Sequence, residues 1–462
     1  MTSNGLKRQL GFWDSVAINI GIVIGVGIFR VPAEVTKYLG SSLLVLLAWA
    51  LGGLVSLLGV LCYAELSSCL PETGGSYAFL RASYGKLVSF LYGWIEFSIL
   101  RGGSLAGVAY VFTAYLNHFI SIGAGNEKLV TILAIVTFTA INIAGLRFGT
   151  GIQNVLSTLK VVALLAMSGL IFRLVPGPVF KQTPLLLDIG WDKARWIAPA
   201  MIPILWTYGG WHESTFMSGE FRETNKELPL SLITGILMIT GLYLLVNTAY
   251  LKVMEPVEMA RSKAIASDVF LRLFGPSGQT VVTAAVLISA CGALNSTVLT
   301  GGRIPYAVGC DYPRCLWFGK VHPRLGTPLR AFILNGLWAS ILALWGNFEQ
   351  LLFFCGFAKW LVFALAGFSV FILRRHDRFL QVRQMPQAPG PGRQFAMSGY
   401  PWVPTLFVAI SFFLCWTTIH YAPRQALFGF LLIVTGLPVY FLAGGRLADA
   451  FRSTLRPVRS SS

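Results

Sequence analysis

Residues Gly21-Ile22-Val23-Ile24-Gly25-Val26-Gly27-Ile28-Phe29 lie inside an apolar run covering 12–36. About 20 apolar residues of helix cross the hydrocarbon core of a bilayer, so this run is long enough to span one. Two glycines, Gly25 and Gly27, flank one residue near its centre, each costing about 1 kcal/mol of helix stability relative to alanine. Gly21 and Gly25 also have the small-xxx-small spacing of closely packed helices, so packing is one reading of the glycines. The other is an unwound segment whose freed N–H groups hold an anion and whose freed carbonyls hold a cation. A second interruption, Pro203-Ile204-Leu205-Trp206-Thr207-Tyr208-Gly209-Gly210-Trp211, falls five spans later. Paired interruptions favour a binding site, and a small zwitterion suits it: carboxylate on the N–H groups at a half-helix N-terminus, ammonium on unwound carbonyls.

Composition agrees with a membrane protein. Of 462 residues 55% are hydrophobic and 12% charged, where soluble domains carry about 25% charged. A soluble fold this apolar could not cover its surface with polar side chains. The chain divides at its polar and Pro/Gly punctuation into twelve expected spans, at 12–36, 41–68, 87–117, 128–147, 156–174, 197–219, 228–251, 277–306, 328–344, 349–374, 401–418 and 425–445. Residues 1–374 then form a ten-helix core, with candidate inverted repeats at about 12–174 and 197–374. Residues 375–400, including the Pro/Gly-rich MPQAPGPGRQ, form a flexible cytoplasmic linker. Helices 11 and 12 occupy 401–445, and 446–462 is a cytoplasmic tail. The segment from Met254 to Gly275 has helical spacing and reads as an amphipathic helix over the extracellular mouth.

The net charge of +17 suggests nucleic acid only where basic residues cluster on a soluble face, and here they stand singly between apolar runs. Twenty-one of the 36 lysines and arginines fall in one set of alternate loops and eleven in the other, with Arg30, Arg101, Lys160 and Lys359 inside spans. The excess puts both termini in the cytoplasm, and the segment Met1 to Leu10 reads as a retained tail with no cleavage site after it. Seven cysteines without a CxxC pair indicate neither a zinc site nor a disulfide framework. No metal or cofactor is expected.

Five stretches carry a family resemblance: GVGIF (Gly25–Phe29), PETGGSYAFL (Pro71–Leu80), YGGW (Tyr208–Trp211), NKELPL (Asn225–Leu230) and GYPWVP (Gly399–Pro404). In that order they resemble the amino acid-polyamine-organocation superfamily, and within it the L-type amino acid transporters. The resemblance implies an all-α integral membrane protein with a LeuT-like 5+5 inverted repeat, broken helices 1 and 6, and amino acid transport by alternating access. It places the substrate backbone site on Val23, Gly25, Val26 and Gly27 and on Trp206, Thr207 and Gly209. The N–H groups of Val26 and Gly27 would take the carboxylate, the carbonyls of Val23, Trp206 and Gly209 the ammonium, and Trp206 would be the aromatic gate. Ser104 and Asn295 match positions lining the side-chain pocket.

Lys160 lies early in the fifth expected span, where a charge is functional by default unless the side chain snorkels to the surface one turn away. The resemblance implies that its ammonium bridges helix 5 to broken helix 1, where sodium-coupled relatives hold sodium. Arg101 must face the interior or water. Glu96 is a possible partner for Arg101 only through a neighbouring helix, because adjacent positions of an α-helix do not face each other. His212 and Glu213 are either proton-relay groups or structural hydrogen-bonding groups. Two departures narrow the function. Some relatives for cationic substrates carry aspartate where this chain has Gly209, and animal relatives join a heavy chain through a cysteine in the loop that here, from His118 to Lys128, has none.

The expected function is a sodium-independent transporter, an exchanger, of neutral L-amino acids in a plasma or bacterial inner membrane, with no nucleic-acid partner and no disulfide-linked heavy chain. The alternative is a proton-coupled cationic amino acid or polyamine permease, resting on Glu96, His212 and Glu213. An intramembrane enzyme is disfavoured because HExxH, paired aspartates and GxSxG are absent from the spans, and a channel because no repeated filter or charged ring is visible.

Overall fold

The computed structural model describes residues 6–123, 125–177, 196–262, 264–345, 348–375, 395–421 and 423–446. The described helices are α1 (Phe12–Val23), α2 (Val31–Tyr38), α3 (Ser42–Cys69), α4 (Ser76–Tyr84), α5 (Lys86–Ile95), α6 (Gly102–Leu116), α7 (Glu127–Ile143), α8 (Leu146–Leu174) and α9 (Ile197–Thr207). They continue with α10 (Glu227–Val253), α11 (Pro256–Met259), α12 (Ile265–Gly301), α13 (Arg303–Asp311), α14 (Leu329–Trp345), α15 (Phe348–Arg374), α16 (Trp402–Tyr421) and α17 (Pro423–Leu442). Among the described residues strand pairing is limited to an isolated bridge between Leu10 and Phe221.

Seven helical stretches among these residues are long and apolar enough to cross a membrane, and four apolar helices are shorter. Two of the short ones, α1 and α9, are short because the chain leaves helical geometry inside the expected span. After α1, Ile24 sits at φ −77° and ψ 73°, and the helix resumes through a 3₁₀ turn, Gly27–Phe29, into α2. After α9, Gly210 adopts φ +114°, and a 3₁₀ segment, Glu213–Glu220, follows. The halves of each interrupted helix therefore end and begin within the bundle instead of at its surface.

Helix α1 packs against α8, α10 and α12, and α9 packs against α2 and α3. Outward faces are apolar at helical spacing: Leu129, Leu133 and Val136 on α7, and Val155, Leu159, Val162 and Leu165 on α8, are all exposed. Such stripes suit a hydrocarbon solvent. On α8 the same geometry turns Gln153, Ser157, Lys160 and Leu164 inward, at spacings of three and four.

Two sequence expectations change. Helix α8 begins at Leu146, ten residues before the expected span, so Lys160 lies mid-helix and the snorkelling reading is withdrawn. The boundary moves because Gly145, at φ +148°, is the residue that turns the chain. The expected amphipathic segment 254–275 divides into α11 and the start of α12, with a kink at Gly275 (φ +64°) before Pro276. The linker expectation falls mainly on 376–394 and the tail on 447–462, outside the described residues. Where the chain is described again, the amide of Phe395 donates to Ser68 Oγ at 2.9 Å and that of Met397 to Glu65 Oε2 at 2.9 Å, tying this segment to α3.

Buried ion pairs join the helices. Arg303 of α13 makes a two-pronged pair with Glu220 (2.8 and 2.8 Å), with both side chains inaccessible. Arg374 of α15, partly exposed, makes a two-pronged pair with buried Glu65 of α3 at 2.5 and 2.6 Å. Removing one partner of a buried pair leaves the other charged and unpaired, which costs about 3–5 kcal/mol, whereas apolar replacement of both is near neutral. Glu220→Ala is therefore expected to lower the melting temperature in detergent sharply. The double change Glu220→Met with Arg303→Met is expected to restore most of it, as read by fluorescence-detected size exclusion after heating; a double variant as labile as the single would contradict this role.

Candidate functional site at the two helix breaks

The end of α1 frees backbone groups, and the chain satisfies only some of them. Among the described residues the amides of Val26 and Gly27 have no hydrogen-bond acceptor. The carbonyls are answered by side chains from three helices. Lys160 Nζ donates to Gly21 O at 2.7 Å and Ile24 O at 2.9 Å. Ser289 Oγ of α12 donates to Ile24 O at 2.9 Å and Gly25 O at 3.2 Å. Tyr243 of α10 donates to Val23 O at 2.6 Å and lies 3.3 Å from Thr207 O, so one hydroxyl bridges both breaks.

The glycines at the breaks have different jobs. A Cβ on Gly27 would stand 2.7 Å from Thr207 Cγ2, and one on Gly210 would stand 2.2 Å from Ile22 Cγ2. Those two glycines let the interrupted helices touch, and the backbone of Gly210 is in addition one that L side chains rarely adopt. Gly25 faces nearly open space, with only Ile22 O at 3.7 Å. Beside it, Thr207 is buried and donates to Pro203 O at 2.9 Å, while Trp206 is 38% exposed with no ring partner among the described residues.

Lys160 is a buried cation, 2% exposed. Room for its ammonium comes from Gly292, where a Cβ would meet Lys160 Cε at 2.5 Å and Nζ at 2.8 Å. Along α8, Ser157 Oγ donates to Ala17 O at 2.7 Å, and Gln153 Nε2 reaches Ala17 O at 3.3 Å, so α8 follows α1 toward its break.

A second buried charge centre lies on the helix that carries Arg101. Here the α5–α6 span passes through a π-helical stretch, Glu96–Arg101. Its i→i+5 spacing puts both residues on one side, and Arg101 Nη2 donates to Glu96 Oε1 at 2.8 Å. This corrects the expectation that Glu96 needs a neighbouring helix, which holds for α-helical spacing alone. Arg101 Nη1 donates to Glu213 Oε2 at 2.5 Å, and Thr300 Oγ1 donates to the same oxygen at 2.8 Å. Glu213 is thus engaged structurally between two helices. His212 is buried with ring contacts to Tyr63, Trp211, Phe216 and Phe363, and among the described residues its Nδ1 has no hydrogen-bond partner.

The two pocket positions separate. Ser104 on α6 is exposed between buried Gly103 and Leu105. Asn295 is fully buried, its Nδ2 donating to Gly149 O (3.0 Å) and Gln153 Oε1 (2.9 Å) and its Oδ1 accepting from Asn142 (2.9 Å). Both its amide hydrogens go to α8 and its carbonyl oxygen to α7, so the side chain joins three helices. The Val23 carbonyl is similarly occupied, accepting from Gly25 N at 2.8 Å as well as from Tyr243. Tyr243, Ser289 and Gly292 are neighbours of the breaks that sequence reading misses. A hydroxyl or a glycine in a transmembrane helix is too common to stand out without its neighbours.

A family model described as amino acid permease matches residues 10–443. The chain belongs to that family. It is 29% identical over 441 residues to the serine/threonine exchanger SteT of Bacillus subtilis (strain 168), covering 95% of this chain and 97% of that protein. It is 29% identical over 452 residues to the mouse b(0,+)-type amino acid transporter 1, covering 96% and 89%. It is also 26% identical over 452 residues to the mouse large neutral amino acids transporter small subunit 2, covering 95% and 81%. The permease is therefore an amino acid transporter of the amino acid-polyamine-organocation superfamily, and not an enzyme.

The two glycines of α1's break give separable outcomes in the permease. Gly25→Leu is expected to keep wild-type yield and melting temperature while losing substrate binding, because the new side chain enters open space. Gly27→Ala is expected to destabilise the fold, and Thr207→Ala to relieve part of that loss. Thermal unfolding and ligand binding on the same detergent samples would check both, and a Gly25→Leu protein with normal affinity would remove Gly25 from the site.

Proposed function

We propose that the permease is a sodium-independent exchanger of neutral L-amino acids that works by alternating access across the cell membrane. The observation that carries this reading is Lys160, whose ammonium rests on the Gly21 and Ile24 carbonyls beside the break in α1. Freed carbonyls of a broken helix require donors, and a tethered ammonium is one that also brings the positive charge an ion would otherwise supply. The architecture proposed with it is the twelve-span, LeuT-like 5+5 inverted repeat, with both termini cytoplasmic and α1–α2 and α9 with its 3₁₀ continuation as the broken helices 1 and 6.

In the proposed site the substrate carboxylate accepts from the amides of Val26 and Gly27, which have no other acceptor among the described residues. The substrate ammonium donates to the carbonyls of Trp206 and Gly209. Val23 is left out of that role because its carbonyl already accepts twice, and Asn295 is left out of the pocket because its amide is committed elsewhere. Trp206 closes over the ligand, and Ser104 stays as a pocket position. The names of the relatives support exchange, from the serine/threonine exchanger, and neutral substrates, from the large neutral amino acids transporter. The proton-coupled alternative loses ground because Glu96 and Glu213 are both bonded to Arg101. No heavy chain is proposed to attach through the loop before α7, which lacks cysteine.

Exchange in proteoliposomes is expected to proceed equally in sodium and in choline. Lys160→Ala should slow turnover roughly ten- to a hundredfold, the scale of losing a buried hydrogen bond to a charged group. Strict sodium dependence of the wild type would overturn the reading, as would full activity of the alanine variant. Trp206→Ala is expected to impair exchange while leaving membrane insertion intact, and unchanged kinetics would place the indole outside the gate.

A further inference from the structure

Between α13 and α14 the chain runs from Tyr312 to Arg330 with four cations, Arg314, Lys320, Arg324 and Arg330, and no acid. Among the described residues none of the four is paired with a carboxylate. Asp311, the last residue of α13, is engaged by Arg81, and Glu65 is engaged by Arg374. Arg314 donates to Leu442 O at 2.8 Å and Arg330 to Trp317 O at 3.3 Å, and a carbonyl leaves the guanidinium charge uncompensated. Apolar side chains stand among these charges. Leu316 and Trp317 are 50% and 55% exposed, and Leu442, whose carbonyl holds Arg314, is 69% exposed. The Arg330 guanidinium lies 4.8 Å from the centre of the Trp317 ring and braces the indole against α14. The loop is ordered by its own bonds: the Tyr312 hydroxyl donates to Lys86 O at 2.8 Å, and the amides of His322 and Gly326 donate to Thr327 O and His322 O, each at 2.9 Å. Little freedom is then left to lose on binding.

We infer that this loop docks on the phosphates of anionic phospholipids, in the leaflet at the end of α17 that is proposed as cytoplasmic. Cations alone are what a positive-inside orientation provides. That rule does not account for a leucine and a tryptophan held out beside them. At a membrane surface such apolar side chains gain by entering the headgroup region, where the cations then lie level with the phosphates. A guanidinium can take two phosphate oxygens at once, which Arg314 and Arg330 offer from opposite ends of the loop. A free phosphate would use the charges and leave Leu316, Trp317 and Leu442 in water. A zwitterionic lipid would cover the apolar side chains and leave the four charges unmatched. The chain's own end does not fit the patch either, since beyond Arg446 it carries Arg452, Arg456 and Arg459 against Asp449 and is repelled by like charge. Which amino acid is carried has no bearing on this surface.

Phosphatidylglycerol would be titrated onto the full-length protein in detergent and the bound lipid counted by native mass spectrometry, with phosphatidylcholine and inorganic phosphate as comparison probes. Lys320→Gln with Arg324→Gln removes two exposed charges of the loop, and Arg222→Gln with Lys226→Gln removes two exposed charges before α10 as the control. Each cation facing an anionic surface contributes about fivefold to affinity, so the loop pair is expected to weaken phosphatidylglycerol roughly twentyfold and the control pair less than about twofold. Trp317→Ala, which changes no charge, should also weaken it several-fold. All of these positions are exposed, and the variants are expected to melt with the wild type in lipid-free detergent. An equal loss in the loop and control pairs would make the interaction one of net charge and overturn the assignment to this loop. Phosphatidylcholine bound as tightly as phosphatidylglycerol would overturn the charge argument, and complete displacement of the lipid by millimolar phosphate would make this a site for the free anion instead. A wild type that retains no phosphatidylglycerol would overturn the docking outright and leave the patch to an acidic protein. The count is made without substrate, so its result stands apart from that of the exchange assays.

Discussion

In hydrocarbon a backbone polar group without a partner costs several kcal/mol, and the rest of this structure follows from how the chain answers that cost where two of its helices stop. At the end of α1 the carbonyls are met by an ammonium from α8, a hydroxyl from α12 and a hydroxyl from α10. The amides of Val26 and Gly27 are not met among the described residues. The asymmetry matters because acceptors are covered from within and donors are left open, which is the pattern of a site for an anionic group. The partial positive charge at a helix N-terminus adds to it, since the chain turns back into helix just beyond Gly27.

Such an arrangement needs the two interrupted helices to approach more closely than side chains allow, and glycine does that work at particular places. Gly27 receives Thr207, Gly210 receives Ile22, and Gly292 receives the end of Lys160. Tyr243 then fixes the pair by accepting no compromise in position: its one hydroxyl has to reach Val23 and Thr207 together. Because carbonyls from both breaks converge on that side chain, moving one half-helix without the other gives up one of the two contacts. Packing and polar satisfaction are therefore coupled here, and a site built this way is positioned by several helices at once.

Much of this is legible in the sequence. The glycine-spaced interruptions at Gly25–Gly27 and Gly209–Gly210, and the membrane character itself, are local in sequence and fall where α1 and α9 stop. What escapes depends on geometry that residue spacing does not carry. The pairing of Glu96 with Arg101 requires a π-helical stretch, and nothing in FSILRGG announces one. The true extent of α8 is hidden because its first turns, around Arg147 to Asn154, are polar enough to look like a loop, yet those side chains serve contacts to the N-terminal segment, such as Arg147 to Gln9 and Asn154 to Asp14. Asn295 is expected in the pocket through the family resemblance alone, which carries no information on its bonds in this chain. Its neighbours Asn142, Gly149 and Gln153 lie about 140 to 150 residues away and only the fold assembles them.

The buried cations show how the chain distinguishes structure from recognition. Arg101 and Arg303 are bonded to carboxylates that belong to the segment following the α9 break, Glu213 and Glu220, and both therefore hold that segment against the helices beside it. A guanidinium suits this task because its planar fork binds two oxygens at fixed angles and keeps its charge in any surroundings. Lysine offers a point charge on a flexible stem, which fits carbonyls that converge from one helix end, as at Lys160, or an acceptor that is present only part of the time. The two arginines are closed by acids of the chain, whereas the half-buried Lys359, beside Gly209, has no such partner among the described residues. In a protein that must bind a ligand and release it, the cations of permanent pairs and those that meet a ligand have to be different residues, since a cation already satisfied by the chain has no free energy left to give.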